Sequence, residues 1–324
     1  MLMTYDLVIV GSGAAGLSAA LYGGRYRMKV LVIAKEFGGE TAKAGKIENY
    51  PGAPSVDGYD LMEVIKAQAK GVGAEFVSDE VLDIGRREHH FNIKTKEAEY
   101  QAHSVILATG AERRHLDLPN EKELTGRGVH YCITCDGPVY AGKTIALVGG
   151  GDASVKGAIL AAEYAEKIYL LIRGKEVTAE PINLEKMKSL GEKLEILPET
   201  EVREVVGSEK LEKIGLSKPY QGKEELVVDG LFVEIGAMPN VELAKSLGVM
   251  LDERGYITVD SLMQTNVDGV FACGDAVNHF GPFKQDITAA ATGAVAVTSA
   301  YNDKKVHGDV CPYHALPSMK HTIA

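Results

Sequence analysis

Hydrophobic residues in this chain gather into short continuous runs at residues 5–10 (YDLVIV), 30–33 (VLVI), 144–148 (TIALV), 168–172 (IYLLI) and 270–274 (VFACG). Runs of this length without polar alternation predict strands buried on both faces, as in a parallel sheet. A glycine loop and a helical pattern over residues 17–22 separate the first two runs, and a second glycine loop with a helix through residue 165 separates the next two. Strand, glycine loop, helix and strand make a βαβ unit, and the chain holds it twice, about 140 residues apart. Between them an amphipathic helix is expected near residues 60–70. A small antiparallel sheet is expected over residues 74–105, where short segments alternate, and residues 105–110 (VILATG) read as a buried strand entering a turn. Residues 194–197, 201–206 and 231–233 read as further strands, and residues 287–301 as a helix of small side chains. Beyond residue 303 no periodicity remains, and a loosely held tail is expected.

Composition narrows the function classes. At 324 residues, 45% hydrophobic and 25% charged, the chain has the make-up of a globular protein with room for two cores. A net charge of -10 disfavours nucleic acid as a partner. No apolar run reaches the roughly 20 residues of a membrane span, and the first ten residues enter a strand pattern directly, so a cytoplasmic setting is expected.

The chemistry centres on two glycine loops and a cysteine pair. In GSGAAG (Gly11, Ser12, Gly13, Ala14, Ala15, Gly16), glycines let the backbone turn tightly and approach a pyrophosphate, which the helix N-terminus then meets with free N–H groups. The acid expected at the end of the second strand is absent, since VLVI runs into Ala34 and Lys35, with Glu36 the nearest carboxylate. GGGDAS repeats the loop with Gly149, Gly151 and Asp152, and puts Ser154 where alanine or glycine usually packs; it reads as a second nucleotide loop or as a plain tight turn. Cys132 and Cys135 form a C-x-x-C, which is a redox pair, half of a zinc site, or two unreactive thiols. Zinc would need a second pair, and Cys273 and Cys311 are single and remote; Cys273 reads as a core residue and Cys311 as incidental, so no metal site is expected.

Taken in order, GSGAAG, ENYPG (48–52), ATG (108–110), CITCDG (132–137), GGGDAS, IGAMPN (235–240), VFACGD and KQDIT (284–288) resemble the low-molecular-weight thioredoxin reductases, over nearly the whole chain. The resemblance implies an α/β fold of two Rossmann-like dinucleotide-binding domains, each of three layers (ββα), the second inserted into the first. The FAD domain would be residues 1–112 and 242–324, and the insert, carrying the cysteines, residues 113–241. It further implies the FAD pyrophosphate at Gly11 to Gly16, Asn49 near the flavin ring, Val81 at the adenine side, and Thr109 and Gly110 along the cofactor. Gly274 and Asp275 would meet the ribityl chain or phosphates, and Lys284, Gln285, Asp286 and Ile287 the isoalloxazine side. Asp286 departs from the pattern, which has a small apolar residue there.

By the same resemblance Cys135 is the thiol nearest the flavin, Cys132 the one that attacks a partner's disulfide, and Asp136 the acid and base for their protons. Asp136 by itself also reads as a turn residue before Gly137. The expected partner is a thioredoxin-like or glutaredoxin-like protein, and the expected assembly a homodimer. The GGGDAS loop would hold the electron donor. NADPH users of the family carry His-Arg-Arg and a further Arg where this chain has Ile172, Arg173, Gly174 and Thr178, with Lys175 beside them. An NADH user would want a carboxylate at the strand end, which Ile172 cannot supply. The donor is therefore open between NADPH, NADH and a different reductant such as ferredoxin or a deazaflavin. A flavin-binding redox sensor without turnover is the alternative from another class.

Overall fold

The computed structural model describes residues 4–86, 90–281 and 283–307. The chain divides into two units, Met1–Glu112 with Pro239–Ala324, and Arg113–Met238. Each unit is built on its own sheet with a parallel core and helices packed against it, so the fold is α/β with two Rossmann-like units.

In the first unit the Thr4–Ser12 strand lies between Val30–Phe37 and Glu99–Leu107, parallel to both, with Leu7 opposite Val30 on one side and Ser104 on the other. Leu7, Val8 and Ile9 are all 0% exposed, so both faces of this strand are covered and no polar alternation survives. Residues 74–105 do not form a separate antiparallel sheet. Glu75–Ser78 extends the same sheet in parallel beside Val30–Phe37, and Phe91–Thr95 with Val81–Arg86 adds an antiparallel hairpin beyond Glu99–Leu107. Alternation reports one-sided burial and not the identity of the neighbour. Glu99–Leu107 is part-exposed where it meets the hairpin and becomes continuously buried from Ser104 to Leu107, with Val270–Ala272 joining it in parallel over Val105, Ile106 and Leu107.

Helix Ala14–Arg25 packs beside Gly58–Gly71 and Asp286–His307. A Cβ on Gly293 would sit 2.1 Å from the Ala15 carbonyl oxygen, which is why the last helix is rich in small residues: the backbones touch. That helix runs past residue 303 to His307. Cys311 and the rest of the expected tail lie outside the described residues.

The insert shows how one strand serves two layers. Its sheet runs Val129–His130, Gly230–Val233, Thr144–Val148, Lys167–Ile172 and Leu194–Pro198, all parallel. Ile145 and Leu147 point into one apolar cluster with Val155, Ala158 and Phe232 beneath helix Asp152–Ala161, while Ala146 and Val148 point into another beneath the antiparallel strands Val202–Val206, Lys213–Tyr220 and Lys223–Val227. Period-two geometry with both faces covered yields the unbroken run TIALV. The helix after the second glycine loop ends at Ala161 and not at residue 165, because Glu163, Tyr164 and Ala165 turn back onto the Leu160 and Ala161 carbonyls. Among the described residues no helix is long and apolar enough to cross a membrane.

Candidate functional site

The two terminal glycines of GSGAAG are needed by the fold itself. Gly11 has φ +110, and a Cβ there would lie 2.1 Å from the Ala108 carbonyl oxygen; one on Gly16 would lie 2.0 Å from the Gly11 carbonyl oxygen. Gly13 is different, since a Cβ on it would meet nothing nearer than the Gly38 carbonyl oxygen at 3.9 Å. Space is thus kept at the N-cap of Ala14–Arg25, a helix with no side-chain cap and no acid in its first turn. Such an end favours an anion. Ser12, 5% exposed, braces the loop by donating to the Glu36 carbonyl at 3.0 Å and accepting from Gly38 N–H. Ala14 and Ala15 are buried beneath it.

Several of the other expected residues come together around this loop's unit. Gly274, at φ +75, would place a Cβ 2.9 Å from that of Ala15, and its N–H donates to Thr292 Oγ1. Asn49 donates to Gln285 Oε1 at 2.9 Å, joining segments 236 residues apart. Thr41 donates to Asp286 Oδ1 at 2.6 Å. Thr109 and Gly110 are clasped by Asn240, which takes the Thr109 hydroxyl on its carbonyl at 2.6 Å and donates its own N–H to the Gly110 carbonyl at 3.0 Å. Ile287, next to Asp286 in sequence, is 38% exposed. Val81 opens the Val81–Arg86 strand and packs, half-buried, against the core.

Charge in this region is predominantly acidic. Burial raises the Asp275 carboxyl above its ordinary value, opposed by Lys284 and reinforced by Asp286 and Glu40. Asp286 is raised as well, again by burial, with the Thr41 bond opposing. Lys284 is lowered by burial, and its ammonium is already committed to the Val277 and His279 carbonyls, 4.7 Å over the Tyr256 ring.

Cys132 and Cys135 are joined as a disulfide with Cα atoms 5.3 Å apart, at the start of the one-turn helix Ile133–Asp136. Cys135 is exposed and Cys132 half-buried. The Cys135 N–H donates to Cys132 Sγ at 3.2 Å, and a donor in that place would favour thiolate at Cys132 once the disulfide is reduced. The turn is pinned on both sides. Tyr131 donates to Glu121 Oε1 at 2.6 Å and meets His115 at 2.7 Å, and Glu121, 3% exposed, accepts in turn from the Leu116 and Leu118 N–H groups. Asp136 Oδ2 lies 3.1 Å from Nδ1 of His130, a residue that pattern reading missed although it is the single polar residue entering a buried strand ahead of the cysteines. Among the described residues no group of three or more His, Cys, Asp or Glu is placed to hold a metal ion.

The second glycine loop repeats the first in its backbone. Gly149 has φ +141 with a would-be Cβ 2.2 Å from the Glu234 carbonyl oxygen, while Gly151 has open space. Ser154 does not crowd this turn: it is 0% exposed, and its hydroxyl donates to the Gly151 carbonyl at 2.8 Å. The helix end is another matter. Asp152 sits in its first turn, bonded by Lys156 at 2.8 Å, Asn183 at 2.8 Å and the Glu180 N–H at 3.1 Å. Burial works against its charge, yet these bonds hold its carboxyl below the ordinary value. Arg173 and Lys175 are exposed, but Ile172 is 1% exposed, and Thr178 spends its N–H and hydroxyl on the Gly150 carbonyl.

Two glycine loops on parallel sheets and a surface disulfide define a dinucleotide-binding disulfide oxidoreductase. The chain belongs to the pyridine nucleotide-disulphide oxidoreductase family, whose model matches residues 5–298. It is 39% identical over 305 residues to a thioredoxin reductase of Peptoclostridium acidaminophilum, covering 91% of this chain and 96% of that one. It is 38% identical over 299 residues to that of Treponema pallidum, covering 91% and 96%. The crystal structure of T. acidophilum thioredoxin reductase superposes with a TM-score of 0.86 at 34% identity, covering 93% of this chain and 99% of that one. The space kept at Gly13 and the acid-free helix end beside it fit FAD, the cofactor of this family.

Proposed function

We propose that this chain is a FAD-dependent reductase of a protein disulfide, with thioredoxin as its substrate and Cys132–Cys135 as its redox pair. The observation that carries the reading is the disulfide itself, closed in an exposed turn whose flanks are fixed by Glu121 and His130. Gly11 to Gly16, Asn49, Val81, Thr109, Gly110, Gly274, Asp275 and residues 284–287 would hold FAD, which when bound supplies the electron pair that opens the disulfide. In the reduced turn the Cys135 N–H favours thiolate at Cys132. That sulfur attacks the partner's disulfide, a mixed disulfide forms, and the thiol of Cys135 then resolves it by attacking Cys132 Sγ, so that the partner leaves as a dithiol. Asp136 takes and returns the thiol protons.

We expect NADPH to be a weakly bound donor. A 2′-phosphate carrying close to two negative charges needs fixed cations, and the buried Ile172 and the engaged Thr178 leave only the exposed Arg173 and Lys175 to supply them. A cytoplasmic homodimer belongs to the same proposal. Anaerobic titration of the oxidised protein with NADPH, NADH and reduced ferredoxin, following flavin absorbance and then turnover of oxidised thioredoxin, tests it. Reduced flavin without steady thioredoxin turnover would favour a redox sensor.

A further inference from the structure

The Val129–His130 strand sets a histidine into the interior two residues ahead of Cys132. His130 is 6% exposed, and both ring nitrogens are engaged: Nδ1 lies 3.1 Å from Asp136 Oδ2, and Nε2 lies 2.7 Å from the Tyr140 hydroxyl. Parallel pairing puts His130 opposite Phe232, and the two rings stack with centroids 5.2 Å apart and 22° between planes. The imidazole is thus clamped on a face and at both nitrogens. Asp136, in contrast, keeps 44% of its side chain exposed. A carboxylate on a one-turn helix with that exposure would wander among rotamers, and the buried ring holds one of its oxygens in place.

The groups facing this pair are few. Asp136 approaches from the redox turn, Tyr140 from the following Gly137–Tyr140 turn, and the neutral face of Phe232 from the sheet. Tyr140 itself faces Asp136 and Asp229, with the Lys143 ammonium 5.2 Å over its ring. Burial above all, with these two carboxylates adding to it, keeps the phenol protonated. With the Tyr140 hydroxyl donating to Nε2, the tautomer that carries its proton on Nδ1 donates to Asp136.

Resting on the disulfide-reductase reading above, we infer that His130 is the positioning residue for Asp136, fixing the carboxyl that hands a proton to the thiolate leaving the partner's disulfide. The step balances. The Cys132 thiol gives its proton to Asp136 and its sulfur attacks the partner S–S bond; one S–S bond forms as another breaks. The departing sulfur carries the bond's electron pair and receives the proton from Asp136, so one thiol has become another with no net change in protons or electrons.

This assignment makes rate depend on the leaving group, which a merely structural role would not. The full-length FAD-loaded protein is reduced with dithiothreitol, freed of reductant anaerobically, and mixed in a stopped-flow instrument with two disulfides. Dithiobis-nitrobenzoate has an acidic leaving thiol that departs without a proton, whereas hydroxyethyl disulfide needs one. His130→Phe keeps a ring on Phe232 and removes both nitrogens. It should slow hydroxyethyl disulfide, which needs Asp136 both to take the Cys132 proton and to return it, about tenfold to a hundredfold, and slow the aryl disulfide, which needs only the first transfer, several-fold less. His130→Asn restores an N–H near the Nδ1 position and should recover most of the loss. If His130→Phe does not fold, Tyr140→Phe removes one hydroxyl and should slow hydroxyethyl disulfide about threefold, and the aryl disulfide less. Equal losses on both disulfides, or none on either, overturn the role of His130. Oxidised thioredoxin forms a separate arm: failure of the unaltered reduced protein to reduce it would reject the substrate reading while leaving the comparison of small disulfides intact.

Discussion

The glycines of GSGAAG allow the requirements of the fold to be separated from those of the ligand. Gly11→Ala forces an L-residue into φ +110 with its Cβ 2.1 Å from the Ala108 carbonyl oxygen. The backbone penalty is roughly 1–2 kcal/mol, and moving a carbonyl out of the way adds about 1–3 kcal/mol. In a unit of about 200 residues each kcal/mol is worth roughly 2–4 °C, so the apoprotein should melt about 5–15 °C lower. Gly13→Ala meets only the Gly38 carbonyl oxygen at 3.9 Å. Its cost is that of alanine at an N-cap, about 1 kcal/mol at most, or roughly 2–4 °C. FAD should respond in the opposite sense. A methyl group at Gly13 displaces the pyrophosphate from N–H groups whose charge-assisted bonds contribute about 1.5–3 kcal/mol, so affinity should fall about tenfold to a hundredfold in a protein that is otherwise sound. Thermal unfolding of the two apoproteins, with quenching of flavin fluorescence on titration, measures both quantities. A Gly13→Ala protein that melts as low as Gly11→Ala, or that binds FAD with unaltered affinity, would refute the division of roles.

Burial pushes the Cys273 thiol up to about 12, so iodoacetamide at pH 8 should label Cys132 and Cys135 of the reduced protein and spare Cys273, as peptide mapping would report. Asp286 is raised in the folded state, so it binds protons more tightly there than in the unfolded chain, and the resulting destabilisation grows as pH rises through and above the ordinary carboxylate range. Asp286→Asn should therefore raise the melting temperature of the apoprotein at pH 7, with the gain vanishing below the ordinary carboxylate range near pH 4; a gain of the same size at low pH would contradict the assignment. At the second loop, Gly174→Arg with Thr178→Arg should tighten NADPH about tenfold or more, read from flavin reduction. Ile172→His should instead destabilise the protein by about 2 kcal/mol, because that side chain is 1% exposed and turned away from solvent.

The parallel core of each sheet could be read from the chain, because strands covered on both faces leave unbroken apolar runs and the glycine loops mark where each run turns into a helix. The hairpin Val81–Arg86 with Phe91–Thr95 could not be placed, since its alternation specifies one buried face but not that Glu99–Leu107 would accept it on the far edge of the same sheet. The length of the last helix was hidden for a related reason. Its small residues serve close contact with Ala15, so they carry no 3.6-residue stripe that would mark the end at His307.

The site divides along the same line between local and assembled information. Cys132, Cys135 and Asp136 lie within one turn, so their spacing offers a redox pair among other readings, and the role of the acid comes from the resemblance to the thioredoxin reductases. The Thr41–Asp286 bond spans 245 residues and the Asn49–Gln285 bond 236, and no local pattern announces either. His130 is instructive because it is close in sequence yet was not legible. Its role depends on Tyr140 coming round through a turn and on Phe232 arriving in parallel register from about a hundred residues away. Register is set by the whole sheet, and a lone polar residue before a cysteine pair gains chemical meaning only after that sheet has formed. The same reasoning applies to the second glycine loop. Its glycines repeat the backbone of the first loop, but its helix begins with Asp152, a carboxylate tied to Lys156, Asn183 and the Glu180 N–H, so the two helix ends share a backbone motif and differ in their charges, a difference visible only once residues 28 and 31 positions further on have folded back onto the turn.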